Sequence, residues 1–201
     1  MINLLFRILG VMLAFVLIVL LIGSLMPRAF TTSSSTVIEA GPEVIFPQLK
    51  TIKAWSNWSM WNEQSIRGLE VNYSGPESGV GAIQTWTEPR GEGKLWITEC
   101  LENELVEFRS VFDNFPEMQS SIKLTVVENG TRVEWKSDGS LPKGPFYGWF
   151  GMTFGDSLAL EYKKSLERLK RESEIRSAAL AEDAKATDAD GASTEGEDSG
   201  E

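Results

Sequence analysis

Hydrophobic positions along this chain fall into three successive patterns, and each change of pattern marks a boundary. From Ile8 to Met26 the sequence ILGVMLAFVLIVLLIGSLM shows no alternation at all: 19 residues without a charge, with Ser24 the one strongly polar side chain. A helix rising about 1.5 Å per residue needs ~20 apolar residues to cross ~30 Å of hydrocarbon, so residues 1–28 are expected to form a membrane anchor. A cleaved signal sequence is the competing reading. Its apolar region is usually about 7–15 residues long and ends in a small-x-small site, whereas SLMPRAF offers no such match and no cysteine lies near position 24. The small, polar, aperiodic residues 29–35 then read as a flexible tether to a domain over 36–177.

Within that domain TVIEA, 36–40, suggests a first short strand. Pro42 suits a helix start, and EVIFPQLKTIKAWSNW reads as two short helical pieces broken near Pro47. The period then becomes two. LEVNYSG, GVGAIQTWTEP, KLWITECLEN, ELVEFRSVFDN, SSIKLTVVEN and TRVEWKSDG follow one another with turn signals between them, as in an antiparallel meander. Alternation assigns Val106, Phe108 and Phe112 to the inward face of one strand. Ile122, Leu124 and Val126 take that face in the next, Val133 and Trp135 in the last. Finally Phe154, Leu158, Tyr162, Leu166 and Leu169 step by 4, 4, 4 and 3, the apolar stripe of a long helix. A half-buried sheet needs a cover, and this stripe supplies one. The fold class is therefore α+β, a curved antiparallel sheet wrapped around a long C-terminal helix.

Composition changes the picture at the ends. Residues 181–201 carry eight acidic side chains and one Lys, a net −7 of the chain's −10, with no aromatic or branched aliphatic residue. Such a segment buries too little to offset its ordering entropy, so 178–201 is expected to be a disordered, solvated tail. No basic stripe points to nucleic acid. Arg7 and the amino terminus on one flank of the anchor, against Arg28 on the other, favour a single-pass protein with an extracytoplasmic domain. The single cysteine, Cys100, excludes an internal disulfide.

The chain has no histidine, which removes the commonest general base and metal ligand. No phosphate-cradling glycine loop or nucleophile elbow is present. No catalytic residue, metal ligand or cofactor is assigned, and an enzyme is the less favoured reading. Glu99 shares parity with Leu95 and Ile97, so an inward carboxyl with a desolvated, raised pKa stays open. Arg109 and Arg132 fall on the solvent face, and the sequons at Asn57, Asn72 and Asn129 carry no weight, Asn57 lying inside a tryptophan cluster. That cluster, AWSNWSMW, places Trp55, Trp58 and Trp61 at three-residue spacing, on roughly one side of a helical turn. They close the fold, line a cavity or touch a membrane. PKGPFYGWFGM, 142–152, reads either as a mobile aromatic loop or as an ordered lead-in to the long helix.

The order of elements, with Trp55-x-x-Trp58-x-x-Trp61, Gly79-Val-Gly-Ala, Trp86, Gly93-Lys-Leu-Trp-Ile-Thr-Glu99, Gly130-Thr-Arg-Val-Glu-Trp135 and Leu166-Glu-Arg-Leu-Lys170, resembles the START-like (SRPBCC, polyketide cyclase/dehydrase and lipid-transport) superfamily. The likeness covers about Thr36 to Glu174. It implies a helix-grip fold with an apolar cavity between sheet and long helix. On that fold the candidate cavity-lining residues are Trp58, Trp61, Trp86, Phe108, Phe112, Trp135, Phe150 and Phe154. The expected function is non-catalytic binding of a hydrophobic small molecule or lipid beside the membrane. The alternatives are a protein-interaction module whose core is filled by Trp86, Trp96, Trp135 and Phe154, or a cyclase/dehydratase-type enzyme.

Overall fold

A computed structural model describes residues 2–62, 66–113 and 115–194 of the chain. Helix α1 (Ile2–Leu25) is the apolar run; α2 (Pro42–Lys50), a 3-10 turn and α3 (Trp55–Trp58) follow strand β1 (Ala29–Ile38). Strands β2 (Glu70–Ser74), β3 (Ile83–Glu88), β4 (Gly91–Leu101), β5 (Leu105–Phe112), β6 (Met118–Val127) and β7 (Gly130–Ser140) precede the long helix α4 (Pro145–Thr194). The described residues form one antiparallel seven-stranded sheet in the order β1-β7-β6-β5-β4-β3-β2. Consecutive strands from β2 to β7 pair by short turns, and β1 closes the other edge by pairing with β7 from Ala29↔Ser140 to Ile38↔Thr131.

The expected tether is thus strand. Residues 29–35 are ordered along β7, and their small side chains have a packing reason. Thr32 is buried where α4 lies against β1, and its hydroxyl donates to the Gly155 carbonyl at 2.8 Å. A bulkier residue there would hold the helix off. Burial along this strand alternates although hydrophobicity does not, which is why the sequence pattern missed it.

Two further boundaries move. Helix α2 runs through Pro47 and ends at Thr51, whose backbone is extended, so the break lies four residues later than the proline suggests. Helix α4 begins at Pro145, inside the stretch read as loop or lead-in, and continues to Thr194 through most of the expected tail. Residues 181–187 are exposed, as their composition requires. The helix persists because Ala-rich sequence extends an existing helix without a new nucleation cost. Residues 195–201 of the expected tail lie outside the described residues.

The core lies between the concave face of the sheet, α2–α3 and α4. Val106, Phe108, Ile122, Leu124, Val133 and Trp135 are buried from the sheet, and Tyr162, Leu166 and Leu169 from the helix. Val126 departs from its assigned inward face. It is 71% exposed, one pair from the Val127–Gly130 hairpin end. Glu99 departs from parity for a different cause. A β-bulge between Ile97 and Glu99 shifts the register, so Glu99 is exposed and Cys100 packs against the core instead.

The polar side of α4 anchors it. Arg168 donates from Nε to the Trp58 carbonyl at 2.9 Å and from a terminal nitrogen to the Ser59 carbonyl at 3.0 Å. Lys170 donates to the Val37 carbonyl at 2.9 Å, and Gln48 to the Ser173 hydroxyl at 2.8 Å. These bonds tie α4 at once to β1, α2 and the tryptophan segment.

Candidate functional site: an aromatic pocket beside the core

The tryptophan segment divides into packing and lining. Trp55 and Trp58 are fully buried, and their indole N–H groups donate to the carbonyls of Leu49 at 2.8 Å and Gln48 at 3.3 Å. Rings of Trp55, Trp58, Phe108 and Trp135 pack against one another with centroids 4.9–6.2 Å apart. Trp135 stacks on Tyr162 at 4.1 Å and 8°. Three of the eight candidate lining residues, Trp58, Phe108 and Trp135, therefore stand in this packed cluster, where the turn of α3 brings Trp55 and Trp58 onto the strand residues Phe108 and Trp135.

The other five border a pocket. Trp61, Trp86, Phe112, Phe150 and Phe154 line a half-open pocket of about 630 Å³ between the first half of α4, the β5–β6 connection and the β3–β4 hairpin. That volume lies within the range of ~300–1,000 Å³ typical of small-molecule sites. Trp61 is the hinge between the two regions, touching Trp135 at 6.1 Å and Trp86 at 5.7 Å. Trp86 lies across Gly93, its register partner on β4, and a Cβ at Gly93 would run into the indole ring. Glycine is required there by the close approach of the ring.

Sequence reasoning missed Phe30, Met60, Phe115 and Met118, which complete the apolar wall. Phe30 was hidden by the tether reading; it meets Phe154 edge-on at 4.9 Å. Phe115 packs between Phe112, Tyr147 and Phe154 at 5.9–6.5 Å. The charged lining residues are Glu88, Arg90 and Glu161, none of them buried. Of the described side-chain groups that are buried without a hydrogen-bond partner, which include the Trp135 indole N–H and the Gln84 amide, the Trp86 indole N–H is the one on a residue that lines the pocket; such groups usually have an explanation in a water or a ligand.

The deepest titratable group lies outside the pocket. Tyr162 is fully buried, and its hydroxyl shares a 2.6 Å hydrogen bond with Ser137, which in turn meets Ser120 at 2.6 Å. Burial pushes the Tyr162 pKa well above the usual phenol value, and the serine hydrogen bonds oppose that rise. Arg109 is exposed and pairs with Glu117 at 2.9 Å. Arg132 is exposed too, and Trp96 lies on the outer face beneath the Lys94 ammonium. Among the described residues no group of three or more His, Cys, Asp or Glu side chains is arranged to hold a metal.

Solved structures share this architecture. Protein SA2116 from Staphylococcus aureus aligns with a TM-score of 0.60 at 10% identity, covering 74% of this chain and 96% of that one. Protein CV1439 from Chromobacterium violaceum aligns with a TM-score of 0.53 at 17% identity, covering 72% and 96%. StfQ, a di-domain ARO/CYC protein from the steffimycin biosynthetic pathway, aligns with a TM-score of 0.56 at 10% identity, covering 75% of this chain and 53% of its own length. At these identities the likeness is one of fold. No curated protein matches the sequence. A family match does, over residues 29–174, with the bounds of β1 and the sheet-gripping part of α4 inside it. The chain belongs to the polyketide cyclase / dehydrase and lipid transport family.

Proposed function

We propose that this protein is a membrane-tethered, non-catalytic binding module for a hydrophobic or lipid-like molecule, held in the pocket between α4 and the β3–β6 part of the sheet. The observation that carries the reading is the pocket's make-up: an aromatic and aliphatic wall in which none of the three charged lining residues, Glu88, Arg90 and Glu161, is buried. Burial of apolar ligand surface there is favourable by roughly 25 cal/mol per Å² before ordering costs. The unpaired Trp86 indole N–H offers one anchor to an acceptor on the ligand, a carbonyl, hydroxyl or carboxylate oxygen.

Binding rather than turnover is supported by where the titratable groups stand. Glu99 faces solvent, and Tyr162 is sealed behind Trp135 with its hydroxyl engaged by Ser137. The anchor is α1, whose 23 residues Asn3–Leu25 are long and apolar enough to cross a membrane. The charges flanking it support an extracytoplasmic domain.

Photo-cross-linking of the full chain in liposomes with a diazirine-bearing fatty acid tests this assignment. Adducts are expected on peptides containing Trp61, Phe112, Phe115 or Met118. Adducts confined to α1 would contradict it.

A further inference from the structure

The first turns of α4 are fused to the last turns of α1. Gly23 of α1 and Gly148 of α4 face each other so closely that a Cβ on either would run into the other helix's backbone. Small residues that let two backbones touch are the usual device of helix pairs inside a bilayer. One turn earlier on α1, the Val19 carbonyl accepts a 3.1 Å hydrogen bond from the Trp149 indole N–H. Only three residues separate the end of α1 at Leu25 from the start of β1 at Ala29, so the domain has no slack with which to lift away.

This junction fixes a depth. The uncharged run Ile8–Met26 is 19 residues, bracketed by Arg7 and Arg28. As a helix it measures about 28 Å, barely the ~30 Å of a hydrocarbon core, so Met26 must stand at the boundary when α1 spans. Val19 then lies about 10 Å inside that boundary, and the Trp149 ring lies with it. On the same two turns of α4, Phe146 is 75% exposed, Met152 64% and Phe150 47%, an apolar surface with no protein over it. Phe146, Trp149 and Phe150 share one face at i, i+3, i+4 spacing. Lys143, exposed just before the helix, is placed to reach the headgroups.

We propose that the segment Pro145–Phe150 is immersed in the bilayer beside α1, with Gly151 and Met152 at its boundary beside Pro27, so that the pocket opens into lipid rather than water. The occupant of this surface is the acyl-chain region of the membrane, and continuity with the spanning helix is what identifies it. Phe150 forms part of the pocket wall one residue beyond Trp149, and Phe30, five residues after Leu25, forms another part. A hydrophobic molecule thus enters sideways from the leaflet without crossing an aqueous phase. The proposal rests on the reading of α1 as a membrane span, and the experiment separates the two.

The full chain in a Cys100→Ser background is spin-labelled singly at Phe146→Cys or Met152→Cys and reconstituted in phosphatidylcholine–phosphatidylglycerol vesicles. Leu13→Cys, exposed at mid-helix on α1, and Val126→Cys, exposed at the far end of the sheet, are the membrane and solvent references. Collision with oxygen and with a water-soluble nickel chelate is read by power saturation. The label at 146 is expected to favour oxygen several-fold over nickel, as at Leu13, and the label at 152, at the boundary beside Pro27, to favour oxygen less strongly, both opposite to Val126. Nickel access at 146 and 152 equal to that at Val126, with Leu13 shielded, overturns the immersion and leaves the anchor standing. Nickel access at Leu13 overturns the anchor, and the immersion with it.

Discussion

Trp135 and Tyr162 are one stacked unit, and the chemistry of the tyrosine hydroxyl shows what that unit is for. The ring plane is held by the indole, and the oxygen completes a chain through Ser137 to Ser120. Tyr162→Phe keeps the stack and leaves the serines bonded to each other, so the loss at neutral pH is that of one buried hydrogen bond, about 1 kcal/mol. Denaturant unfolding measures it. The pH dependence has a definite sign. Because the folded pKa is raised, the unfolded chain ionises first, near the ordinary phenol value of about 10. The stability that wild type owes to this group is whole below that pH and is lost as pH rises further. The Phe variant lacks that loss, so the gap between the two proteins should narrow above pH 10; a gap constant with pH would show the hydroxyl to be unburied in solution. At this scale the inward positions Val106, Phe108, Ile122, Leu124, Val133 and Trp135 were legible from alternation alone. Glu99 was not, because a bulge is a local backbone event that leaves no mark in a period-two pattern.

Among the elements, β1 and α4 carry the lesson. β1 is polar in sequence yet structural, since its backbone pairs along β7 and Thr32, buried under the helix, donates its hydroxyl to the Gly155 carbonyl. Hydrophobic periodicity reports which side chains dislike water, and it is blind to a strand selected for small volume. α4 errs in the opposite direction. Its apolar stripe from Phe154 to Leu169 was plain, but nothing in that stripe foretells how far the helix runs once the core ends. The exposed stretch 181–187 contributes no buried side chain. A chain ending at Leu180 should therefore unfold within about 0.5 kcal/mol of the full protein, with a weaker helical signal in circular dichroism. A loss above about 2 kcal/mol would mean that the acidic end makes contacts that the domain depends on.

For the whole molecule, the proposed function rests on the division of its aromatic residues between core and pocket. Had Phe112, Phe150 and Phe154 packed onto the Trp55–Trp58–Trp61–Trp135 cluster, the space between sheet and helix would be full and the domain would have only its surface to offer. Instead Trp86 leans over Gly93, and Phe112, Phe115, Phe150 and Phe154 stand apart around about 630 Å³. The sequence showed which residues are large and apolar and in which order the elements come. It did not show which of the rings meet, because that depends on the turn of α3 and on the approach of α4 to β1. The start of α4, which supplies Phe150 to the pocket wall, packs on α1 for a reason that is likewise invisible in a linear pattern, the meeting of Gly23 with Gly148 across 125 residues. Native mass spectrometry of the full chain released from nanodiscs, set against Ser110→Trp, tests the central claim most directly, since Ser110 lines the pocket and an indole there would fill it. The account predicts one apolar molecule retained per wild-type chain under activation that strips annular lipid, and at least tenfold less retention in the filled variant. Equal retention by the two proteins, or none by either, would contradict it.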